Sequence, residues 1–366
     1  MEILDSEEVG SRSLWTSTLI SSKCKTSGSK KIFPRLTKLL SICIIFTNIQ
    51  AQINVYSHRH YDSDKILFKK FTDQTGIKIK VIKGSADQLI ERLISEGKNS
   101  PADILLTVDA GRLHRAKMAG VLQPIKSRTL NNNVPASMRD PDGQWFGLTV
   151  RARVIVYSKD RIQPTQLSTY EDLAKSKWRG KIAVRSSSNI YNQSLMASII
   201  DANGSSEALS WAKSVRKNMA RAPRGSDRDQ ARAVAAGVAD IAIMNTYYLG
   251  ILANSSNSKD RDVFKKVSVF FPNQKGRGTH INISGAGITK SSKNKKDAIK
   301  FIEFLTSSDS QKIFANVNYE YPIKIETNQS ELLKSWGSFN PDKLNLSILG
   351  IKNSEAVKLF DKAGWE

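Results

Sequence analysis

Apolar and polar positions change period repeatedly from Ile53 onward. "INVYS" reads as a short strand, and "SDKILFKKFTDQTG" puts Ile66, Leu67 and Phe71 on one helical stripe that Gly76 ends. "IKIKVIKG" alternates apolar residues with lysine at a period of two. "SADQLIERLISEG" opens with Ser85 and Gln88 in capping-box spacing and closes on Gly97. "ADILLTVD" is a continuous apolar run, suited to a strand covered on both faces, and the helical "AGRLHRAKMAG" follows it. This βαβαβα order predicts a parallel sheet flanked by helices.

A second series follows "GQWFGLTVRARVIVYSKD". "WRGKIAVRS" reads as a strand; "IYNQSLMASIIDANG", "SSEALSWAKSVRKN" and "DQARAVAAG" read as helices; "ADIAIMN" and "THINISGAGIT" read as strands. "KKDAIKFIEFLTS" is an amphipathic helix with Ile299, Phe301, Ile302 and Leu305 on its stripe. Two α/β lobes are the natural partition, with a boundary near residue 148. No Pro/Gly/Ser-rich linker lies there, so strands passing between the lobes are expected to form a hinge with a cleft. The expected division is residues 53–147 plus about 279–318 for one lobe, and 148–278 plus about 319–366 for the other.

Ahead of these lies "KKIFPRLTKLLSICIIFTNIQAQ", with a basic lead, an apolar run from Leu39 to Phe46, then small and polar residues. That three-part order predicts a secretory signal within residues 1–51, cleaved after Ala51, and the apolar run is too short for a membrane span. A lipid anchor on Cys43 is disfavoured by bulky Ile42 before it. A buried strand behind a disordered tail is the alternative. Cys24 and Cys43 are the two cysteines, so the rest of the chain folds without disulfides or thiolate chemistry. Four histidines, His58, His60, His114 and His280, supply zinc chemistry poorly. The formal charge of +22 would suit nucleic acid or an anionic ligand. Lys and Arg are nevertheless spread along the chain, and the densest run, Lys290 to Lys300, contains no interleaved aromatic residue for stacking on bases. No nucleic-acid partner is expected.

The candidate chemistry is phenolic. In open parallel sheets ligands bind beyond the carboxyl ends of strands, where the next helix begins. Tyr61 follows "INVYS", Tyr191 follows "KIAVR" and the loop "SSSN", and Tyr247 and Tyr248 follow "ADIAIMN". Ionising one free tyrosine at neutral pH costs roughly 4 kcal/mol, more than a helix N-terminus alone supplies for several residues. A small, hard, highly charged cation supplies it, because oxygen anions suit hard metals and the ion's own field deprotonates its ligands. Ferric iron fits phenolates best, and His60 beside Tyr61 offers a nitrogen. Each tyrosine taken alone reads more often as an amphipathic side chain at the rim of a core. His58 reads as a solvated neighbour of His60.

"SHRHYDSD", "ADILLTVDAGRLHRAKMAGVLQPI", "WFGLTVRARVIVYSKD", "SSSNIYNQSL", "GSDRDQARAVAAGVADIAIMNTYYLG" and "NYEYPI" together resemble the periplasmic ferric-iron-binding proteins of bacterial ABC transporters, above all the cyanobacterial FutA type. The resemblance spans residues 53–366. It implies an α/β, two-lobed periplasmic-binding-protein fold (type II-like), each lobe a mainly parallel sheet flanked by helices and joined to the other by crossing hinge strands. It also implies Tyr61, Tyr191, Tyr247 and Tyr248 as phenolate ligands of Fe3+ in the cleft, with His60 a ligand or a close neighbour. Arg151 in "LTVRARV" matches an arginine that approaches the iron or an accompanying anion, and a water or small anion would complete the shell. Many members carry an arginine just after the tyrosine pair, where this chain has Leu249, Gly250, Ile251 and Leu252.

The expected function is a periplasmic, monomeric Fe(III) carrier that delivers its cargo to an ABC permease, tethered to the membrane if the leader is retained. The alternative within the same fold is an anion carrier for phosphate, sulfate or an organic phosphate held by helix N-termini and basic residues. Net charge favours that alternative; four cleft phenols do not. No G-x-S-x-G elbow, H-E-x-x-H or phosphate-binding P-loop is present in the sequence, so no enzyme is expected.

Overall fold

A computed structural model describes residues 51–59 and 61–365. The expected signal segment up to residue 50, with both cysteines, lies outside the described residues, as do His60 and Glu366. Among the described residues, no helix is long and apolar enough to cross a membrane.

The elements of the first half form in the predicted order, and Leu67 and Phe71 are buried, but Ile66, expected on the same stripe, faces solvent. Strand β1 (Gln52–Ser57), helix α1 (Asp62–Thr75), strand β2 (Lys78–Lys83), helix α2 (Ala86–Glu96), strand β3 (Ile104–Val108) and helix α3 (Ala110–Met118) follow one another. β1 pairs in parallel with both β2 and β3. Gly76 ends α1 at φ 72°, and its N–H bonds to the Thr72 carbonyl. Ser85 and Gln88 form the expected capping box at the start of α2. Every residue of β3 is buried, as its unbroken apolar run requires.

The chain continues through β4 (Leu122–Gln123), α4 (Arg128–Asn133) and the long strand β5 (Phe146–Ser158) to β6 (Ile182–Ala183). Helices α5 (Ile190–Asn203), α6 (Ser205–Asn218) and α7 (Asp227–Ala235) lead into β7 (Ile241–Asn245) and α8 (Tyr247–Ala253). β8 (Val267–Phe270), β9 (Ile281–Thr289) and β10 (Tyr321–Pro322) complete the strands. "WRGKIAVRS" pairs over only two residues. Beyond Ala183 the chain leaves β7 to form the loop whose Asn189 side chain caps α5.

The sheet runs β2-β1-β3-β9-β5-β7-β6, with β4 on β9 and both β8 and β10 on β5. Parallel pairs lie toward the two ends, and β9 and β5 between them pair antiparallel to their neighbours, so the sheet as a whole is mixed. β5 is the strand that spans the molecule. Phe146 to Ala152 pair with β9, whereas Arg153 to Tyr157 pair with β7 and Ile155 to Ser158 with β8. All of its residues are buried, including Arg151 and Arg153 where the partners change.

Candidate functional site

The three tyrosine-bearing segments leave strand ends in the way their sequences suggest. Tyr61 occupies the N-cap of α1 in an extended conformation, and its carbonyl accepts from the Asp64 N–H. Tyr191 is the second residue of α5, its N–H held by the Asn189 side chain at 3.1 Å. Tyr247 and Tyr248 are the first two residues of α8, and Thr246 before them donates its N–H to the Ala152 carbonyl of β5 at 2.9 Å.

These side chains come together. The Tyr247 and Tyr248 rings lie 4.1 Å apart between centroids, and Tyr61 meets Tyr247 edge-on at 6.2 Å. Tyr191 packs with Val108 and Ile190, and Tyr248 lies against that cluster. Tyr247 is fully buried, Tyr191 nearly so, and Tyr61 and Tyr248 are half-buried. Burial is the main cause that pushes the phenols of Tyr61, Tyr247 and Tyr248 up from the usual tyrosine range. Neighbouring oxygens add to it: Glu320 and Tyr191 act on Tyr61, Tyr191 and Tyr61 on Tyr247, and Tyr191 and Asp227 on Tyr248. The unliganded cluster therefore keeps those three phenols protonated at neutral pH.

Arginines surround it. The Arg59 guanidinium carbon is 4.7 Å from the Tyr61 ring centroid. Around Tyr191 stand three more, Arg151 at 5.6 Å and Arg153 and Arg185 at 5.9 Å each. Three buried carboxylates answer these four cations. Asp64 takes Arg59 at 2.9 Å; Asp227 lies 3.4 Å from Arg153 and 3.5 Å from Arg185. Glu320 lies 3.3 Å from Arg59 and 3.6 Å from Arg151, and accepts from Thr149, Asn318 and Ser284. Arg151 donates to the Ile283 carbonyl, yet its Nε and Nη1 are buried with no hydrogen-bond partner among the described residues. The Nε atoms of Arg153 and Arg185 are in the same condition. A buried donor left unmade costs free energy, and a negative charge beside these nitrogens would lower that cost.

Tyr61, Tyr191, Tyr247, Tyr248 and Arg151 thus share one locus, and His60 lies outside the described residues. Arg59, Arg153, Arg185, Asp227 and Glu320 also belong to it and were not singled out from sequence. A signal existed for Arg153, since "RAR" in a strand puts Arg151 and Arg153 on one face. His58 is not the solvated neighbour that was expected. It is half-buried, its Nδ1 3.3 Å from the Gly84 carbonyl and its Nε2 3.3 Å from Arg112 of α3. His280 is buried; of the remaining tyrosines Tyr56, Tyr157, Tyr170 and Tyr321 are core residues and Tyr319 is partly buried. Gly250, in the stretch after the tyrosine pair, faces Tyr319, whose side chain leaves no room for a Cβ at 250. Among the described residues no group of three or more His, Cys, Asp or Glu side chains could hold a metal ion.

Comparison with known proteins gives this geometry its relatives. The sequence profile described as bacterial extracellular solute-binding protein matches residues 99–341. Iron uptake protein A1 of Synechocystis sp. is 50% identical over 317 residues, covering 87% of this chain and 88% of that protein. The major ferric iron-binding protein of Neisseria meningitidis is 28% identical over 319 residues, covering 86% and 93%. Among solved structures, Trichodesmium IdiA (FutA) in complex with iron and citrate ligands superimposes with a TM-score of 0.84 at 55% identity, over 86% of this chain and all of that one.

Proposed function

The chain belongs to the family of bacterial extracellular solute-binding proteins, and on that premise we propose that it captures ferric iron with the phenolates of Tyr61, Tyr191, Tyr247 and Tyr248 and delivers it to an ABC-type permease. It is a carrier and not an enzyme. The observation that carries this reading is the convergence of four phenols, from three separate strand ends, on one arginine-lined locus. Burial holds three of them protonated, so only a ligand with a strong positive field can ionise them, and a trivalent hard cation has that field. This argues for Fe(III) over Fe(II).

Four phenolates around a 3+ ion leave about one negative charge, which the unpartnered nitrogens of Arg151 offset. His60 beside Tyr61 is a further donor, and a water or a small anion such as citrate completes the shell. Closure of two lobes brings Tyr61 onto the second-lobe tyrosines. We divide them at residues 53–147 plus about 279–318 and 148–278 plus about 319–366, and the change of β5 partners between Ala152 and Arg153 supports a boundary close to this one. Residues 1–51 act as an export signal, and the protein works as a monomer outside the cytoplasmic membrane.

Titration of the purified protein with ferric citrate tests the reading. A visible tyrosinate-to-iron charge-transfer band is expected, and it disappears when Tyr247 and Tyr248 are both changed to Phe. The absence of a band in the wild type, or a band indifferent to that double change, contradicts it.

One observation favours a second reading, an anion carrier. Three guanidiniums flank Tyr191, and several of their nitrogens lack partners. Thermal stabilisation by phosphate or sulfate, with none by ferric citrate, would select it.

A further inference from the structure

Asp109 ends β3 and caps α3, and three features set it apart. Its backbone stands at φ 78° and ψ 124°, a region that residues with a Cβ rarely occupy. It is fully buried. Among the described residues no Lys, Arg or His pairs with it, and its oxygens are met by neutral donors from three elements. The Gly111 N–H of α3 donates at 2.9 Å, Asn282 Nδ2 of β9 at 2.8 Å, and Ser194 Oγ of α5 at 2.8 and 3.0 Å to the two oxygens. Asn282 in turn accepts from the Ala110 N–H, so the strained turn is gripped from both sides.

Ser194 is three residues beyond Tyr191 on α5, which puts the two on one helix face a turn apart. The residue before Asp109, Val108, packs directly on Ile190 and Tyr191. Strain of this kind costs about 1–3 kcal/mol and persists only where surrounding contacts hold it. Here those contacts fasten the helix that bears Tyr191 to the β3–α3 turn.

We propose that Asp109 is a positioning residue: through Ser194 it latches α5 against the β3–α3 turn, holding Tyr191 at the cluster and so slowing release of the bound ion. This rests on the ferric reading above. Among the described residues the side-chain partners of Asp109 are Gly111, Ser194 and Asn282 and no phenol, so the latch governs how long the site stays assembled and leaves the ligand set alone.

Ser194→Ala removes the hydroxyl, and Asp109→Gly removes the carboxylate at a backbone conformation glycine accepts readily. Both full-length variants are loaded with ferric citrate, and transfer of iron to excess EDTA is followed at the charge-transfer band. The expected result in both is a band at the wild-type maximum and release about tenfold faster or more, the effect of losing the hydrogen bond from Ser194 to a carboxylate, which both variants share. The iron-free Ser194→Ala protein, which loses one hydroxyl, should melt within a few degrees of wild type, which separates a latch from a general loss of folding, whereas Asp109→Gly also leaves the Gly111 N–H and Asn282 Nδ2 without that acceptor and should melt lower. Wild-type release rates in Asp109→Gly overturn the latch even if Ser194→Ala fails to fold. A displaced or missing band in that variant also overturns it, since Asp109 would then be shaping the ligand set. A wild-type protein with no band at all fails the ferric reading instead and is distinguishable from either.

Discussion

Two arginine environments in the cluster are built on opposite plans. Arg59, beside Tyr61, is saturated: Nε and Nη2 bond to Asp64, and Nη1 reaches Thr149 and Glu320. Arg151, Arg153 and Arg185, around Tyr191, share Asp227 and the more distant Glu320 and keep buried nitrogens without partners. A paired guanidinium is a structural clamp, because its charge is already answered. One paired only at 3.4–3.6 Å, with buried donors unmet, keeps more of its potential and stabilises negative charge that arrives. The fold thus keeps Tyr61 on a neutralised support and sets Tyr191 in an open positive field, which puts the waiting charge on the side where the tyrosine pair also stands.

The sharpest way to break this contrast is to damage one side at a time. Asp64→Ala removes the carboxylate that Nε and Nη2 of Arg59 bond to and that none of the other three arginines pairs with among the described residues, leaving buried charge uncompensated on that side alone. A loss of about 3–5 kcal/mol in unfolding free energy is expected by denaturant titration. Arg151→Met should do the reverse. Stability should change little, since an incompletely paired buried cation is replaced by an apolar side chain, while ferric affinity should fall on the order of 10–100-fold in a citrate competition assay. Equal effects of the two changes on both quantities would erase the distinction.

The smallest effect is alkaline. Tyr61, Tyr247 and Tyr248 hold their protons more tightly in the folded, iron-free protein than in the unfolded chain. Below about pH 10 both states are protonated and stability is flat. Above it the unfolded chain ionises first, and stability falls by about 1.4 kcal/mol per pH unit for each such phenol. Thermal melts from pH 9 to 11 should show this slope, and Tyr248→Phe should lessen it. Iron binding runs the other way, since loading releases those protons, so affinity drops as the solution is acidified.

What was legible in the sequence follows from range. "IKIKVIKG", the Ser85 capping box and the Gly76 stop act within a few residues, and each stands where its pattern places it. The tyrosines were legible because strand-to-helix junctions in an α/β chain point to one side. The carboxylates were not. Glu320 lies 261 residues from Arg59, and nothing in "NYEYPI" marks its glutamate as buried. Asp109 was hidden for a related reason: its value lies in a positive φ and a serine 85 residues away. The mixed sheet was equally invisible, because β9 enters between β3 and β5 from far along the chain and its direction is fixed only by that insertion.

The central claim, that phenols from three strand ends bind one cation, is tested most directly by an anomalous-difference map at the iron edge from ferric-loaded crystals at neutral pH. A single iron peak within bonding reach of the Tyr61, Tyr191, Tyr247 and Tyr248 oxygens is the expected result. Iron elsewhere, or at the cluster with those phenol oxygens turned away from it, would contradict the account.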